Sequence, residues 1–396
     1  MSVHELALQR NKYKHLSDEE WRWFLQQVEG RERTADKLPT FASIDDWWYP
    51  VRLSCEQCSS ELTAKYKAEI ILPQIEQIGQ ISNFVDLTGG YGVDTYFLSA
   101  AFDHTDYVEQ NAELCRIAEH NFQFKIQNSK FKINNTSAEE FLETAGQYDL
   151  IFLDPARRDS HGGKVFRLED CTPNVVELLP TLLSHGKRIL LKLSPMLDLT
   201  QALKELSVNS LQWSVYVVAV KNEVKELLLL SQQPIANSQQ PTITAIDLAS
   251  PEQAFVFTRE EEKEAQAQIG KYENEKMGKW LYEPNAAILK SGAYKLVAQR
   301  FGLTKLDVNT HLYVSDTLVP NFPGRVWKIA NSPYLQIVPQ GKEEPKAKSQ
   351  ANVLVRNYPL TAEQLKKKLH LRDGGERFII GCRVNGKPVL FEAERV

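Results

Sequence analysis

Two stretches carry residue types that can do chemistry together. The first, "NFVDLTGGYGVDT" at residues 83–95, ends a short apolar run on Asp86 and then places Gly89, Gly90 and Gly92 in quick succession. Glycine has no Cβ, so such a turn lets the backbone approach a ligand closely, and the acid before it supplies a charge. The second, "DLIFLDPARRDS" at 149–160, is an apolar run ending on Asp154-Pro155 with Arg157 and Arg158 just beyond. A carboxylate at a strand tip accepts a hydrogen bond from a substrate amine, and Pro155 stiffens the turn. A guanidinium pair suits an oxyanion such as phosphate. Glu109, 23 residues after Asp86, ends another apolar run. An acid there can accept both hydroxyls of a ribose.

These residues need a frame that brings strand tips together. From 83 to 231 apolar strand patterns fall at 84–87, 106–109, 131–133, 149–154, 188–193, 213–220 and 224–230. Helical patterns separate the early ones, as in "NAELCRIAEHNF" and "NVVELLPTLLSHG". That alternation predicts an α/β fold whose sheet is mostly parallel and covered on both faces. Only "KNE" separates the last two strands, so the seventh is expected to run antiparallel. Upstream, "DEEWRWFLQQV" and "SSELTAKYKAEIILPQI" read as helices, the second with Ser59-Ser60 able to cap its start. A Ser/Gln/Pro-rich linker spans 231–241, followed by helical patterns at 258–276 and 285–302, and a Lys/Glu-rich run at 339–350 marks a further boundary. The tail offers a strand, a helix and a hairpin turning on Asn385-Gly386.

Bulk properties exclude several classes. The chain has 396 residues, 42% hydrophobic and 25% charged, as in an ordinary globular protein. No run of eighteen apolar residues supports a membrane span, and the N-terminus is too polar for a secretory signal. Five scattered cysteines give no disulfide framework, which fits a reducing cytoplasm. Cys55-x-x-Cys58 lacks a second ligand pair, so no metal is expected, and the pair reads as packing. Trp47-Trp48 reads as a core anchor. Net charge is −4, yet residues 271–396 carry 21 Lys+Arg against 12 Asp+Glu, while residues 1–270 carry 26 against 39. A basic end on an acidic body is what meeting a polyanion requires, and Lys366, Lys367 and Lys368 are candidate phosphate contacts.

The glycine spacing does not match the dinucleotide fingerprint G-x-G-x-x-G, and no GxxxxGK[ST] phosphate cradle follows. "DLTGGYG" instead resembles the first motif of class I S-adenosylmethionine-dependent methyltransferases. With "EQCSSELTAKYKA", "DPARR", "LSPMLD", "LYEPNAAILKSG" and "GGERFIIG", nearly the whole chain resembles the bacterial members with a THUMP-like domain, best known among Bacteroidetes. The resemblance implies a helical N-terminal region (1–75) and a Rossmann-like core (76–232) with a seven-stranded sheet, mostly parallel and antiparallel in its last strand. It further implies a THUMP-like domain (233–333) and a small ferredoxin-like α+β domain (334–396).

It also implies roles. S-Adenosylmethionine carries no phosphate and needs a carboxylate near its amino group, which maps to Asp86, beside the open backbone of Gly89, Gly90 and Gly92. Glu109 maps to the ribose. Where many relatives place an Asp over the adenine, this chain has Ser137, next to Thr136. Asp154 and Pro155 stand where the family keeps its target-facing N/D-P-P motif, but Ala156 replaces the second proline and no aromatic follows. Arg157, Arg158 and Ser194 are expected on the substrate side. Gln57, Ser60 and Thr63 are expected in a segment folding over the cofactor. THUMP domains belong to RNA-modifying enzymes, so the implied substrate is RNA (tRNA or rRNA). The rivals are methylation of a small molecule or protein, and a catalytically inactive cofactor-binding protein.

Overall fold

Each of the seven apolar runs between 83 and 231 forms a strand: β1 (Asn83–Asp86), β2 (His104–Val108), β3 (Lys130–Asn134), β4 (Leu150–Leu153), β5 (Ile189–Leu193), β6 (Gln212–Val220) and β7 (Glu223–Gln232). The structure is a computed structural model that describes residues 3–75, 82–123, 130–157, 167–207, 211–232, 241–250, 253–270, 278–330 and 350–396. The expected linker at 231–241 and the Lys/Glu-rich run at 339–350 fall almost wholly outside these residues, as does Arg158. The chain divides into two units, one of residues 1–214 with 226–239, the other of residues 215–225 with 240–396.

In the first unit β1 lies between β2 and β4, parallel to both. β3 extends the sheet beyond β2, and β5 extends it beyond β4, again in parallel. β7 joins β5 antiparallel, with Leu190 opposite Leu230. The strand centres are apolar because helices cover both faces: Phe84, Val85, Leu150 and Ile151 are completely buried. All the parallel strands of this unit therefore point their carboxyl ends the same way, toward the turns that carry Asp86, Glu109 and Asp154.

The two helices expected near the N-terminus both form. α1 (Asp18–Thr34) opens with a capping box in which Ser17 and Glu20 bond each other's backbone N–H groups. α2 (Arg52–Gln57) and α3 (Glu61–Ile75) precede β1. Ser60 Oγ accepts the Thr63 N–H at 3.2 Å at the start of α3. An aromatic cluster of Phe41, Trp47, Tyr49, Tyr91 and Tyr107 packs this region onto the glycine turn. The Trp47 indole donates to the Tyr91 hydroxyl at 2.9 Å, which makes it a core residue. α4 (Val93–Leu98), α5 (Ala112–Gln123), α6 (Ala138–Glu143) and α7 (Val175–His185) follow β1, β2, β3 and β4. Among the described residues no helix is long and apolar enough to cross a membrane.

In the second unit β6 pairs in parallel with β8 (Ile243–Asp247), which pairs antiparallel with β9 (Phe255–Phe257). Of the pattern at 258–276, residues 271–276 lie outside the described residues; within the rest, the short helix α8 (Arg259–Glu264) ends at Ala265, and Ile269 bridges to Lys305. The pattern at 285–302 is two helices, α9 (Ala286–Ser291) and α10 (Tyr294–Phe301), split by Gly292 at φ +86°.

A seven-stranded sheet follows: β10 (Trp280–Pro284), β11 (Thr304–Asp307), β12 (Thr310–Ser315), β13 (Gly324–Ile329), β14 (Asn352–Arg356), β15 (Arg377–Val384) and β16 (Lys387–Arg395), in the order β11-β12-β10-β13-β16-β15-β14. Asn385 and Gly386 turn β15 into β16 with φ of +46° and +79°. The boundary expected between residues 333 and 334 does not separate two sheets. β13 pairs with β16, Trp327 opposite Arg395, and Leu281, Trp327, Ile380 and Phe391 share one apolar cluster.

Candidate active site

The tips of β1, β2, β4 and β5 open on one cleft of about 320 Å³, the size of a small-ligand site. Its walls include Asp86, Gly89, Gly90, Gly92, Glu109, Ser137, Asp154 and Lys192, with Gln57, Cys58 and Ser59 from the segment before α3.

The glycine turn is bare for a steric reason. A Cβ on Gly89 would come 2.1 Å from the ring of Tyr107, and one on Gly92 would come 2.6 Å from Phe122. Gly90 and Gly92 also have φ of +54° and +80°. Tyr107 locks the turn from below, donating from its hydroxyl to the Gly90 carbonyl at 2.6 Å. Glu109 locks it from the side. Its Oε2 accepts the Gly90 N–H at 2.9 Å and its Oε1 accepts the Asn111 N–H at 2.8 Å.

Asp86 is 1% exposed. Its Oδ1 accepts the Thr88 N–H at 2.9 Å and its Oδ2 accepts the Thr95 hydroxyl at 2.5 Å. Burial pushes its carboxyl up to about 7, against those two bonds. Asp154 is half-exposed at the tip of β4. The Thr88 hydroxyl accepts its backbone N–H at 2.7 Å, which ties the β4 tip to the glycine turn. Ser137 is the N-cap of α6, accepting the Glu140 N–H, and Thr136 bonds Glu140, so both hydroxyls at the cleft wall are engaged by their own helix.

Beneath the cleft runs a chain of charges that sequence reading missed. Lys192, on β5, is ion-paired with Asp154 and lies 3.6 Å from Asp94. Asp94, in the first turn of α4, lies 3.1 Å from Lys67 on α3 and accepts the Ser59 hydroxyl at 2.6 Å. Lys67 completes the chain with Glu226 on β7 at 2.7 Å. Burial lowers the Lys192 ammonium, but Asp154, Asp94 and Glu226 outweigh it and hold it above its ordinary value. Burial raises the Asp94 carboxyl, but two lysines bring it below the usual carboxylate range. Burial raises the Glu226 carboxyl further than Lys67 and Lys192 lower it, so it is held above that range. The signal in the sequence was a charge inside an apolar strand: Lys192 in "RILLKL" and Glu226 in "VKELLLL". Burying such groups is tolerated only when each is paired.

Other expected residues lie elsewhere or differ. Gln57 lines the cleft, whereas Ser60 and Thr63 are occupied with each other at the start of α3 and are not among its walls. Ser194 is also not a wall residue, and its hydroxyl accepts the Met196 N–H at 3.3 Å. The backbone of Arg157 pairs with Cys171 in a two-residue ladder just past Asp154. Cys55 is buried with its thiol pushed up to about 12, and burial also raises Cys58. Among the described residues no group of three or more His, Cys, Asp or Glu is placed to hold a metal ion.

A solved structure from Porphyromonas gingivalis W83, provisionally described as a methyltransferase, matches this fold with a TM-score of 0.80. The two share 32% identity over 96% of this chain and 92% of that one. The chain belongs to the same methyltransferase family. Within it, residues 280–323 match a profile described as a ferredoxin-like domain and residues 324–395 one described as THUMP domain-like. Along the chain the ferredoxin-like segment therefore precedes the THUMP-like one, the reverse of the expected order. Two Mycobacterium tuberculosis proteins, from strains CDC 1551 and H37Rv, are described as uncharacterised S-adenosylmethionine-dependent methyltransferases. They are 22% identical over 249 residues, which is 59% of this chain. The chain thus spans about three fifths of the length of these curated relatives.

The cleft residues of this family member fit S-adenosylmethionine. Gly89, Gly90 and Gly92 line the cleft, acids stand at two adjoining strand tips, and neither lysine nor arginine lies in the glycine turn to hold a phosphate.

Proposed function

We propose that the chain transfers a methyl group from S-adenosylmethionine to RNA, either tRNA or rRNA. The observation that carries this is the junction of the two halves of the cleft: Thr88 joins the glycine turn, on the cofactor side, to Asp154, on the target side. When bound, the cofactor supplies an electrophilic methyl group on a sulfonium. Glu109 receives the ribose hydroxyls while keeping the Gly90 N–H. Asp86 stabilises the glycine turn through Thr88 and Thr95, and a cationic amino group beside it would favour its charged form. Asp154 accepts a hydrogen bond from the incoming amine and aims its lone pair, so positioning does most of the work. The RNA assignment is supported by the THUMP-like match at 324–395, and by exposed Lys367 and Lys368 on α11 (Ala362–Lys368) within it.

The test is transfer of labelled methyl from S-adenosylmethionine to RNA, protein and small-molecule fractions of cells lacking the gene, with Asp154→Ala alongside. Label in RNA that is lost in the variant is the expected result. Label only in protein or small molecules, or no label with cofactor binding intact, rejects RNA as the substrate.

A further inference from the structure

The position of Lys192 has no counterpart in the roles above. It lines the cleft with its side chain 12% exposed, and its ammonium sits between Asp154 and Asp94. The bond to Asp154 uses Oδ2. That leaves Oδ1 as the carboxylate oxygen presented to an incoming group. Asp94 in turn is fixed from three directions, by Lys192, Lys67 and the Ser59 hydroxyl. Ser59 and Asp94 themselves line the cleft, one before α3 and one just after the glycine turn.

Resting on the methyltransferase reading, we infer that Lys192 is a positioning residue. It holds the Asp154 carboxylate turned so that one oxygen faces the target amine, and Asp94 aims it. A carboxylate at the same tip with no cation beside it turns about its own Cβ–Cγ bond, and neither oxygen is then selected for the incoming amine. The pair therefore fixes direction. The buried chain also joins the glycine turn to the target tip through side chains alone, so the two halves of the cleft share one electrostatic support.

The groups facing the Asp154–Lys192 pair are Asp86 from β1, Asp94 from α4, Lys67 from α3, Glu226 from β7 and the Cys58 thiol. The test isolates Asp154 against this background. Protein labelled with ¹³C at aspartate carboxyls is compared by NMR at one pH, with Asp154→Asn supplying the assignment, for the natural chain, Lys192→Met and Lys192→Arg. S-Adenosylhomocysteine binding to the same samples is checked by calorimetry. The expected result is an Asp154 carboxyl signal displaced in Lys192→Met and returned close to its natural position in Lys192→Arg. An unmoved signal in Lys192→Met overturns the inference. So does a signal displaced equally in both variants, because the cation would then not be what holds the carboxylate. If Lys192→Met does not fold, Lys192→Gln replaces it with the same two outcomes. No RNA enters this measurement. Failure to methylate RNA therefore rejects the substrate and leaves Lys192 standing, while an unmoved signal rejects Lys192 and leaves the substrate standing.

Discussion

Glu109 accepts the Gly90 N–H at 2.9 Å, so the tip of β2 and the glycine turn after β1 are held as one piece. A carboxylate already bonded to the turn is preoriented, and it still has acceptor capacity for a ligand hydroxyl. Glu109→Gln keeps an oxygen for Gly90 but loses the charge and one acceptor. Hydrogen bonds to charged groups contribute about 1.5–3 kcal/mol. S-Adenosylhomocysteine affinity is therefore expected to fall by about tenfold to a hundredfold in calorimetry. An unchanged Kd would remove Glu109 from the ribose role.

Gly89 has no room for a methyl group, since Tyr107 would lie 2.1 Å away. The ring cannot retreat without breaking its 2.6 Å bond to Gly90. Gly89→Ala is expected to cost about 1–3 kcal/mol of stability and to abolish the rise in melting temperature with S-adenosylhomocysteine. A variant that melts normally and still responds to the ligand would contradict the close approach.

Asp86 gives a pH signature. Its folded carboxyl is pushed up to about 7, above the unfolded value near 4. A carboxyl that keeps its proton in the folded state favours folding at low pH. That contribution is full below about pH 4 and is lost as pH rises to about 7. Asp86→Asn removes the dependence and can still accept from Thr88. Urea unfolding should show the variant gaining on the natural chain by about 1.4 kcal/mol per pH unit, at most, inside this window. Parallel curves for the two proteins would show that the burial of Asp86 is not felt as charge.

The three lysines of α11 are not equivalent. Lys366 is engaged by Glu363 at 2.6 Å and Asp373 at 2.9 Å, whereas Lys367 and Lys368 are exposed. If the helix meets RNA, the double variant Lys367→Ala/Lys368→Ala should reduce the salt slope of binding by about 1.4, the share of two phosphate contacts on a single strand. Lys366→Ala should leave the slope nearly unchanged. Filter binding across a salt series reads both, and an unchanged slope in the double variant would take α11 out of the interface.

Much of this organisation was legible in the sequence. The strands were readable because β1, β4 and β5 are buried on both faces and so write continuous apolar runs. The glycine turn was readable because close approach to Tyr107 and positive φ admit no other residue. The lysine and acid network was not read, because Lys67, Asp94, Lys192 and Glu226 are scattered over two helices and two strands and meet only in three dimensions. Lys192 and Glu226 stand inside apolar runs, but nothing along the chain says which charges they meet. Ser60, Thr63 and Ser194 looked like ligands because of where their segments fall, yet local backbone and side-chain bonds engage them. Capping competes with binding for the same short hydroxyl side chains. The helical pattern that begins at 258 stops early, at Ala265, for a related reason. Its Glu- and Lys-rich composition has helix propensity but few apolar anchors, and tertiary packing decides where such a segment stops.

Residue 323 ends one recognised segment and residue 324 begins the other, yet β10 and β13 run antiparallel across that point, Trp280 opposite Lys328 and Pro284 opposite Gly324. A recombination event or an expression boundary placed there would leave each fragment with a raw edge of unpaired amides and half of a shared apolar face. The two segments thus share one sheet, and a cut between them exposes both partners of the same strand pair.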